Sequence, residues 1–204
     1  MKKGILLGAI AVFAALLVWL AFFWQPAGVR GPAPGIVGLA EAPKGGDFTL
    51  RSAQGPLSLH DLRGKVVLLY FGYTMCPDIC PTSLAFTAQG LSQLEAAELE
   101  KVRMLFVTVD PERDTLEHLK EYTAFFHANI TGLTGTQDEI AKVARLYGAS
   151  YAKQKVESEA GYVVDHSADT YVIAADGSFF ATLPHATPPA KVVEKVRAAL
   201  SVNK

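Results

Sequence analysis

The sequence predicts an α/β sandwich with a mixed central β-sheet, preceded by one N-terminal transmembrane helix. Two continuous apolar runs of β-forming residues, at 65–72 and 103–110, are typical of strands that are buried on both faces. A segment with helical periodicity follows each run, which favours strands joined through helices. Two further strands near the C-terminus are separated by Asp176-Gly177, a turn signal that adds an antiparallel pair and makes the sheet mixed.

The chain begins with a long apolar segment. Two lysines precede residues 4–24, an uncharged run of about 21 residues that would extend roughly 31 Å as a helix, enough to cross a bilayer. The run is longer than the apolar region of most signal peptides, and Trp24 stands where cleavage would require small residues. We expect residues 1–24 to be an uncleaved anchor, and a cleaved signal peptide is the alternative.

The flanking residues predict the topology of this anchor. Lysines at the N-terminus favour a cytoplasmic location of that terminus, so the chain after Trp24 is expected on the opposite side of the membrane. Because no Arg-rich transit segment precedes the anchor, we expect a single-pass protein of the bacterial inner membrane, with its C-terminal domain in the periplasm. Residues 25–46 are rich in Gly, Pro and Ala and predict a flexible tether, which leaves residues 47–204 as one domain. A net charge of −1 without a basic run gives no support for nucleic-acid binding.

Local patterns predict the elements of the domain in order. Alternation of apolar and polar residues around Gln54-Gly55 predicts a hairpin ahead of the first buried strand. Helices are predicted over residues 84–99, 116–127, 138–147 and 188–200, the last opened by prolines. The remaining strands are predicted over residues 103–110, 151–156, 161–164, 170–174 and 178–183.

The only two cysteines lie in "FGYTMCPDICPTS", where the first buried strand ends and the first long helix begins. Sites in open α/β sheets gather at the carboxyl ends of strands. Cys76 and Cys80 could form a redox couple, two metal ligands or a structural disulfide, and a free thiol without a use is a liability in an oxidising compartment. Pro81 is expected to open the helix, with Cys80 beside the N-cap and its thiol pKa lowered by helix N–H groups.

Two thiolates favour a soft ion over structural zinc. Zinc in structural sites takes four ligands, whereas Cu(I) accepts few soft donors, and a third donor would complete its site. Of the five histidines, His166 is the best candidate, because its loop comes just before the strand at residues 170–174 and is expected to lie beside the cysteine loop. Asp165 could orient its imidazole as a hydrogen-bond acceptor. His118 and His127 lie in a predicted helix and are expected to be solvated or packed, whereas His60 in the early hairpin and His185 after the last strand are weaker ligand candidates than His166.

A further marked segment is "VTVDPERDTLEHLKEY". Its structural interpretation is a strand end, an Asp-Pro turn and a helix with Asp114 as N-cap and Glu117 three residues later. Its functional interpretation is that Asp110 and Arg113 border the crevice of the cysteines and present charge to a partner. The sequence favours the structural interpretation.

Three segments together, "TMCPDICPTSL", "VTVDPERDT" and "GYVVDHSADTYVI", resemble the Sco/SenC family of membrane-anchored, thioredoxin-like copper-binding proteins that assist cytochrome c oxidase assembly. The resemblance implies a thioredoxin-like fold and assigns copper binding to Cys76, Cys80 and His166. It implies one copper ion per chain, as Cu(I) and also as Cu(II). The implied partner is the binuclear copper site of oxidase subunit II, which the protein would supply with copper or whose cysteines it would reduce. A periplasmic copper donor or a thiol reductant is a further expected partner.

Other thiol proteins fit the sequence less well. Generic thioredoxins use CxxC and a cis-proline before the facing strand, where this chain reads "SADTYV". A peroxiredoxin would place Thr three residues before its reactive cysteine, but Thr74 lies two before Cys76. A structural disulfide would leave His166 without a role. We therefore expect a copper-binding assembly factor, with a membrane-anchored thiol–disulfide reductase as the alternative.

Overall fold

Strands and helices alternate along the domain in the expected order, with one strand added. The computed structural model describes residues 42–156 and 161–202, together with residues 13, 15–17 and 19. Its strands are β1 (Thr49–Ser52), β2 (Gly55–Ser58), β3 (Val66–Gly72), β4 (Val102–Thr108), β5 (Ile130–Leu133), β6 (Tyr151–Lys155), β7 (Tyr162–His166), β8 (Thr170–Ile173) and β9 (Phe179–Leu183). Its helices are α1 (Ile79–Leu91), α2 (Ala96–Leu99), α3 (Leu116–Phe126), α4 (Gln137–Leu146) and α5 (Pro189–Ser201), with a 3-10 turn at Leu59–Leu62.

The centre of the domain is a five-stranded sheet in the order β5–β4–β3–β8–β9 among the described residues. β3, β4 and β5 run parallel, whereas β8 and β9 are antiparallel to their neighbours. All of β3 is buried, as expected for an apolar run covered on both faces. The predicted α/β fold with a mixed central sheet is confirmed. Two antiparallel pairs, β1–β2 and β6–β7, lie outside this sheet.

Strand β5 is the element that the sequence did not predict. It has four residues, and Gly132 within it weakens the strand pattern. A Cβ at Gly132 would lie 2.8 Å from the Cβ of Leu119, so the absence of a side chain lets α3 pack closely on this strand. Packing against α3 and pairing with β4 thus stabilise a strand that is too short to be recognised from its sequence.

The helix predicted over residues 84–99 is wrong in extent. α1 begins at Ile79 and ends at Leu91, and α2 is a separate helix. The Ser92 hydroxyl donates to the Ala88 carbonyl at 2.9 Å where α1 ends, and Glu95 opens α2 through a capping box. Leu91 and Leu94 are both buried, so the helical spacing of apolar residues continues across the break and conceals it in the sequence.

The predicted anchor over residues 1–24 falls almost wholly outside the described residues. Those that are described, at positions 13, 15–17 and 19, are helical and exposed. Within the part of the chain that the structure describes, no helix has both the length and the hydropathy to cross a membrane. Residues 25–41 of the predicted tether also lie outside it, and residues 42–46 have no regular structure.

Candidate metal centre

The cysteine loop connects the carboxyl end of β3 to the amino end of α1. Asp78 is the N-cap residue, so Cys76 precedes the helix and Cys80 lies in its first turn. The expectation that Pro81 opens the helix is wrong by two residues. Pro81 is tolerated there because the first four N–H groups of a helix have no intrahelical acceptor, so its missing N–H removes no helix bond.

The two thiols are free and buried, and they are close to each other. The backbone N–H of Cys80 donates to Cys76 Sγ at 3.5 Å. Cys80 is fully buried beneath the loop, where a Cβ at Gly72 would lie 2.7 Å from its sulfur. The glycine that ends β3 therefore makes room for the Cys80 thiol against the sheet.

His166 is the last residue of β7, and it faces the cysteines. Its Nε2 lies 3.2 Å from Cys80 Sγ, while its Nδ1 lies 2.9 Å from the Ser167 carbonyl oxygen. Because a carbonyl only accepts, Nδ1 carries a proton and, in the neutral ring, the lone pair of Nε2 points at the sulfur. The expectation that Asp165 orients this ring is wrong. The main chain supplies the acceptor instead, and Asp165 is exposed.

The structure brings together all three residues that the sequence proposed as metal ligands. Cys76 Sγ, Cys80 Sγ and a ring nitrogen of His166 all lie within 4.8 Å of one another, and no other such group of His, Cys, Asp and Glu occurs in the described ranges. Three of the remaining histidines pair elsewhere: His118 with Thr74, His127 with Asn129 and His185 with Ser83. His60 is exposed.

The surroundings of the two thiols shift their pKa values in opposite directions. A hydrogen bond from the Cys80 thiol, with further bonds from the backbone N–H groups of Asp78 and Cys80, lowers the pKa of Cys76 to about 3 despite its burial. Burial raises the pKa of Cys80, and the neighbouring Cys76 thiolate raises it further. The expected lowering of the Cys80 pKa is therefore wrong. The helix N-terminus and its N–H groups stabilise the sulfur that lies in front of the helix, which is Cys76.

Two tyrosines that the sequence did not single out frame the imidazole. The rings of Tyr70 and Tyr73 meet the His166 ring edge to face, with centroids 6.1 Å and 5.8 Å away. Tyr70 is fully buried in β3, and burial raises the pKa of its hydroxyl. Rings at this distance fix the orientation of an imidazole without competing for its nitrogens.

Asp114 is hydrogen-bonded to the cysteine loop, and the prediction that it is the N-cap of the following helix is wrong. Thr115 caps α3, because its hydroxyl oxygen accepts from the His118 N–H. The buried Asp114 carboxylate accepts from the Thr74 N–H at 3.1 Å and from the hydroxyls of Thr74 and Thr108, each at 2.6 Å. Spacing alone could not identify this role, because the three residues come from separate elements.

Asp110 and Arg113 do not present charge to a partner. Asp110 is fully buried and pairs with Arg113 inside the protein. Tyr162, from β7, donates its hydroxyl to Asp110 at 2.8 Å, so this pair lies against the hairpin that carries His166. The functional interpretation of this segment, charge directed outward, is wrong for this pair.

A cavity of about 310 Å³ opens the site to solvent. It is lined by residues of the cysteine loop and of β7: Tyr73, Cys76, Pro77, Asp78, Ile79, Val163, Val164, Asp165 and His166. Cys80 is absent from this lining, so an incoming ion or thiol reaches Cys76 and His166 first. Two sulfurs and one imidazole nitrogen are donors that suit copper, and the same sulfurs are near enough to form a disulfide after a modest adjustment.

Comparison with known proteins shows the family of this chain. The SCO1/SenC family model matches residues 38–201. The SCO2-like protein RC0895 of Rickettsia conorii is 37% identical over 155 residues, which cover 75% of this chain and 75% of that protein. The mitochondrial SCO2 homolog of Bos taurus is 42% identical over 154 residues, covering 74% of this chain and 58% of the relative. The chain spans 51–60% of the length of the animal and yeast SCO2 proteins that it matches.

Solved structures of Sco proteins share the fold of this chain. Bradyrhizobium japonicum ScoI with copper bound is 34% identical with a TM-score of 0.69, covering 76% of this chain and 99% of that one. BsSco, a member of the Sco family of cytochrome c oxidase assembly proteins, is 25% identical with a TM-score of 0.62, covering 85% of this chain and 100% of that one. The fold is thus the thioredoxin-like α/β fold of Sco proteins. With its family match, its fold and its two cysteines facing one histidine, this chain belongs to the SCO1/SenC family, whose members act in copper assembly of cytochrome c oxidase.

Proposed function

We propose that this protein is a copper metallochaperone that carries one copper ion per chain on Cys76, Cys80 and His166. The observation that carries the proposal is the approach of the three donor atoms to within 4.8 Å of one another. The Nδ1–H bond to Ser167 supports it, because it leaves Nε2 free to bind a metal. Soft sulfur donors and a small ligand number favour Cu(I) as the main cargo, with Cu(II) also accepted.

We propose that the recipient is the binuclear copper site of cytochrome c oxidase subunit II, and that a periplasmic copper donor loads the protein. Membership of a family with oxidase assembly proteins supports this partner. The open cavity also supports it, because Cys76 and His166 lie at its wall, where a recipient's ligands could replace them one at a time. Such stepwise exchange would move copper without releasing it to solvent.

A second candidate function is thiol–disulfide reduction of the cysteines in that same site. The observation that favours it is the thiolate character of Cys76, whose pKa is lowered to about 3 beside the Cys80 thiol. A thiolate at the wall of an open cavity can attack a disulfide, and the neighbouring thiol can then resolve the mixed disulfide. A disulfide switch has been identified in BsSco, a member of the Sco family, and this supports the second candidate function.

We further propose that residues 1–24 anchor the protein in a bacterial inner membrane, that residues 25–46 tether it and that the domain lies in the periplasm. The apolar run with lysines before it supports this topology. Protease added to spheroplasts should degrade the domain, whereas protease added to intact cells should not. Protection of the domain in spheroplasts would contradict the proposed topology.

Copper titration of the reduced full-length protein in detergent tests the main proposal. We expect one Cu(I) per chain, lost on substitution of either cysteine by Ser and weakened by about 10–100-fold in His166→Ala. His60→Ala, which changes an exposed histidine outside the site, is the matched control and should bind copper normally. Absence of stoichiometric binding, or unchanged binding by His166→Ala, would contradict the proposed site.

Oxidase assembly in cells separates the two candidate functions. If copper transfer dominates, His166→Ala should impair assembly because it loses a ligand but keeps both thiols. If thiol reduction dominates, His166→Ala should support assembly, whereas the cysteine variants should not. The copper content of subunit II is the measurement in each case.

A further inference from the structure

The histidine of the site belongs to a hairpin that lies outside the central sheet. β6 and β7 pair only with each other among the described residues, with Tyr151 opposite His166. At this end the Ser167 N–H donates to the Ser150 carbonyl at 2.8 Å, which continues the pairing within the hairpin itself. The two cysteines belong to a different part of the fold, after β3. The distance between His166 and the sulfurs therefore depends on what holds the hairpin against the domain.

Three residues of the Asp110-Pro-Glu-Arg113 segment make contact with this hairpin. Asp110 accepts from the Tyr162 hydroxyl at 2.8 Å, and Glu112 pairs with Lys153 at 2.7 Å. Arg113 donates to the Tyr162 carbonyl at 3.1 Å, and its guanidinium carbon lies 3.7 Å from the centroid of the Tyr162 ring. The segment after β4 thus contacts β6 through Lys153 and β7 through Tyr162.

The contacts of Tyr162 are stronger than those of Lys153. Glu112 is largely exposed, and an exposed ion pair contributes little. Arg113 is mostly buried, pairs with the buried Asp110 and lies over the Tyr162 ring, where a cation–π contact and charge-assisted hydrogen bonds act in a partly desolvated place. Arg113 also lies 5.6 Å from the centroid of the Tyr73 ring, which itself packs edge to face on His166.

We propose that Arg113 and Tyr162 are positioning residues for copper binding: they latch the β6–β7 hairpin so that His166 stays within reach of the two sulfurs. The inference deepens the proposed function and rests on it, since it concerns the third ligand of the same site. Neither residue contacts the cargo. Loosening the latch lowers copper affinity only through His166 and leaves the two sulfurs in place.

A double-mutant cycle tests the latch, because a purely structural role would not depend on His166. Cu(I) affinity is measured by competition with a chromophoric chelator for the full-length protein in detergent. Tyr162→Leu removes the ring and the hydroxyl, and we expect about 10–100-fold weaker binding. In the His166→Ala background, the same substitution should cause no further loss. Lys155→Gln, an exposed change on the same hairpin, is the matched control and should bind as the unmodified protein does.

The outcomes separate the latch from the proposed site. The latch is overturned if Tyr162→Leu weakens copper binding equally with and without His166, or does not weaken it at all. The proposed ligand set would still stand in that case, provided that His166→Ala itself binds copper more weakly. If His166→Ala itself binds normally, the ligand set and the latch are both wrong. Tyr162→Phe guards against misfolding, because it keeps the ring over Arg113 and removes only the hydroxyl. It should fold as the unmodified protein does by circular dichroism and give a smaller loss, again only when His166 is present.

Discussion

At the scale of single residues, the site depends on a few positions where no other side chain fits. Gly72 is the clearest case, because a Cβ there would lie 2.7 Å from Cys80 Sγ and 2.9 Å from the Phe106 ring. Gly72→Ala should therefore displace the thiol, weaken Cu(I) binding and lower the free energy of unfolding by about 1–3 kcal/mol. Chelator competition and urea unfolding measure the two effects.

Gly132→Ala is the matched control for that prediction. Its Cβ would lie 2.8 Å from Leu119, so a similar loss of stability is expected on β5, two strands away from β3 and the cysteine loop. Its copper affinity should not change. If both variants lose affinity to the same degree, the effect of Gly72→Ala comes from general destabilisation and the role of Gly72 in seating Cys80 is wrong.

Protonation of Cys76 gives a second prediction at this scale. Its pKa is lowered to about 3, so in the reduced protein its thiolate is present throughout the neutral range. The rate of alkylation of Cys76 by iodoacetamide should be nearly constant between about pH 6 and pH 8, whereas an ordinary thiol reacts about tenfold faster per pH unit until it ionises. The urea-unfolded protein is the control, and its rate should rise with pH. A steep rise in the folded protein would contradict the thiolate assignment.

At the scale of elements, the site is assembled by contacts between segments that are far apart in sequence. Asp114 illustrates this, since it ties Thr108 at the end of β4 to Thr74 in the cysteine loop. Asp114→Asn replaces an oxygen that accepts with an NH₂ group that donates, which leaves at least one buried hydroxyl or N–H without its acceptor. We expect a loss of about 1–3 kcal/mol in the free energy of unfolding, with weaker copper binding as the loop loosens.

Asp165→Asn is the contrasting change. The Ser167 carbonyl, and not Asp165, accepts from His166 Nδ1, so this substitution should leave both stability and copper affinity unchanged. Urea unfolding and chelator competition measure the pair of variants side by side. A large loss of affinity in Asp165→Asn would restore the carboxylate as the group that orients the imidazole.

These elements also show what a sequence can reveal. The buried strands β3 and β4 were predictable, because short continuous runs of apolar β-forming residues are typical of strands that are covered on both faces. The stretch "CPDIC" after β3 identified the two cysteine ligands. β5 was not predictable, because its stability comes from β4 and α3 and not from its own residues. The pKa order of the two cysteines was missed for a similar reason. It depends on which sulfur lies in front of the helix, and the helix begins two residues earlier than Pro81 suggests.

At the scale of the whole molecule, the same two sulfurs serve both copper binding and redox chemistry, so the two states exclude each other. Copper needs both thiolates, whereas a disulfide removes both. The reduced, folded protein is therefore the only form that should gain stability from copper. Unfolded chains lack the juxtaposition of His166 with the cysteines, so copper binding is linked to folding.

Thermal unfolding tests this exclusion. With free Cu(I) at 100 times its dissociation constant, linkage stabilises the reduced protein by about 2.7 kcal/mol, which corresponds to a rise in Tm of about 5–10 °C for a domain of this size. Removing copper with a chelator should reverse the rise. The oxidised protein and the Cys76→Ser/Cys80→Ser variant should show no rise at the same copper concentration, because neither retains a thiolate. A comparable rise in the oxidised protein would mean that copper binds away from the cysteines, and the coupling of copper release to disulfide formation would then be wrong.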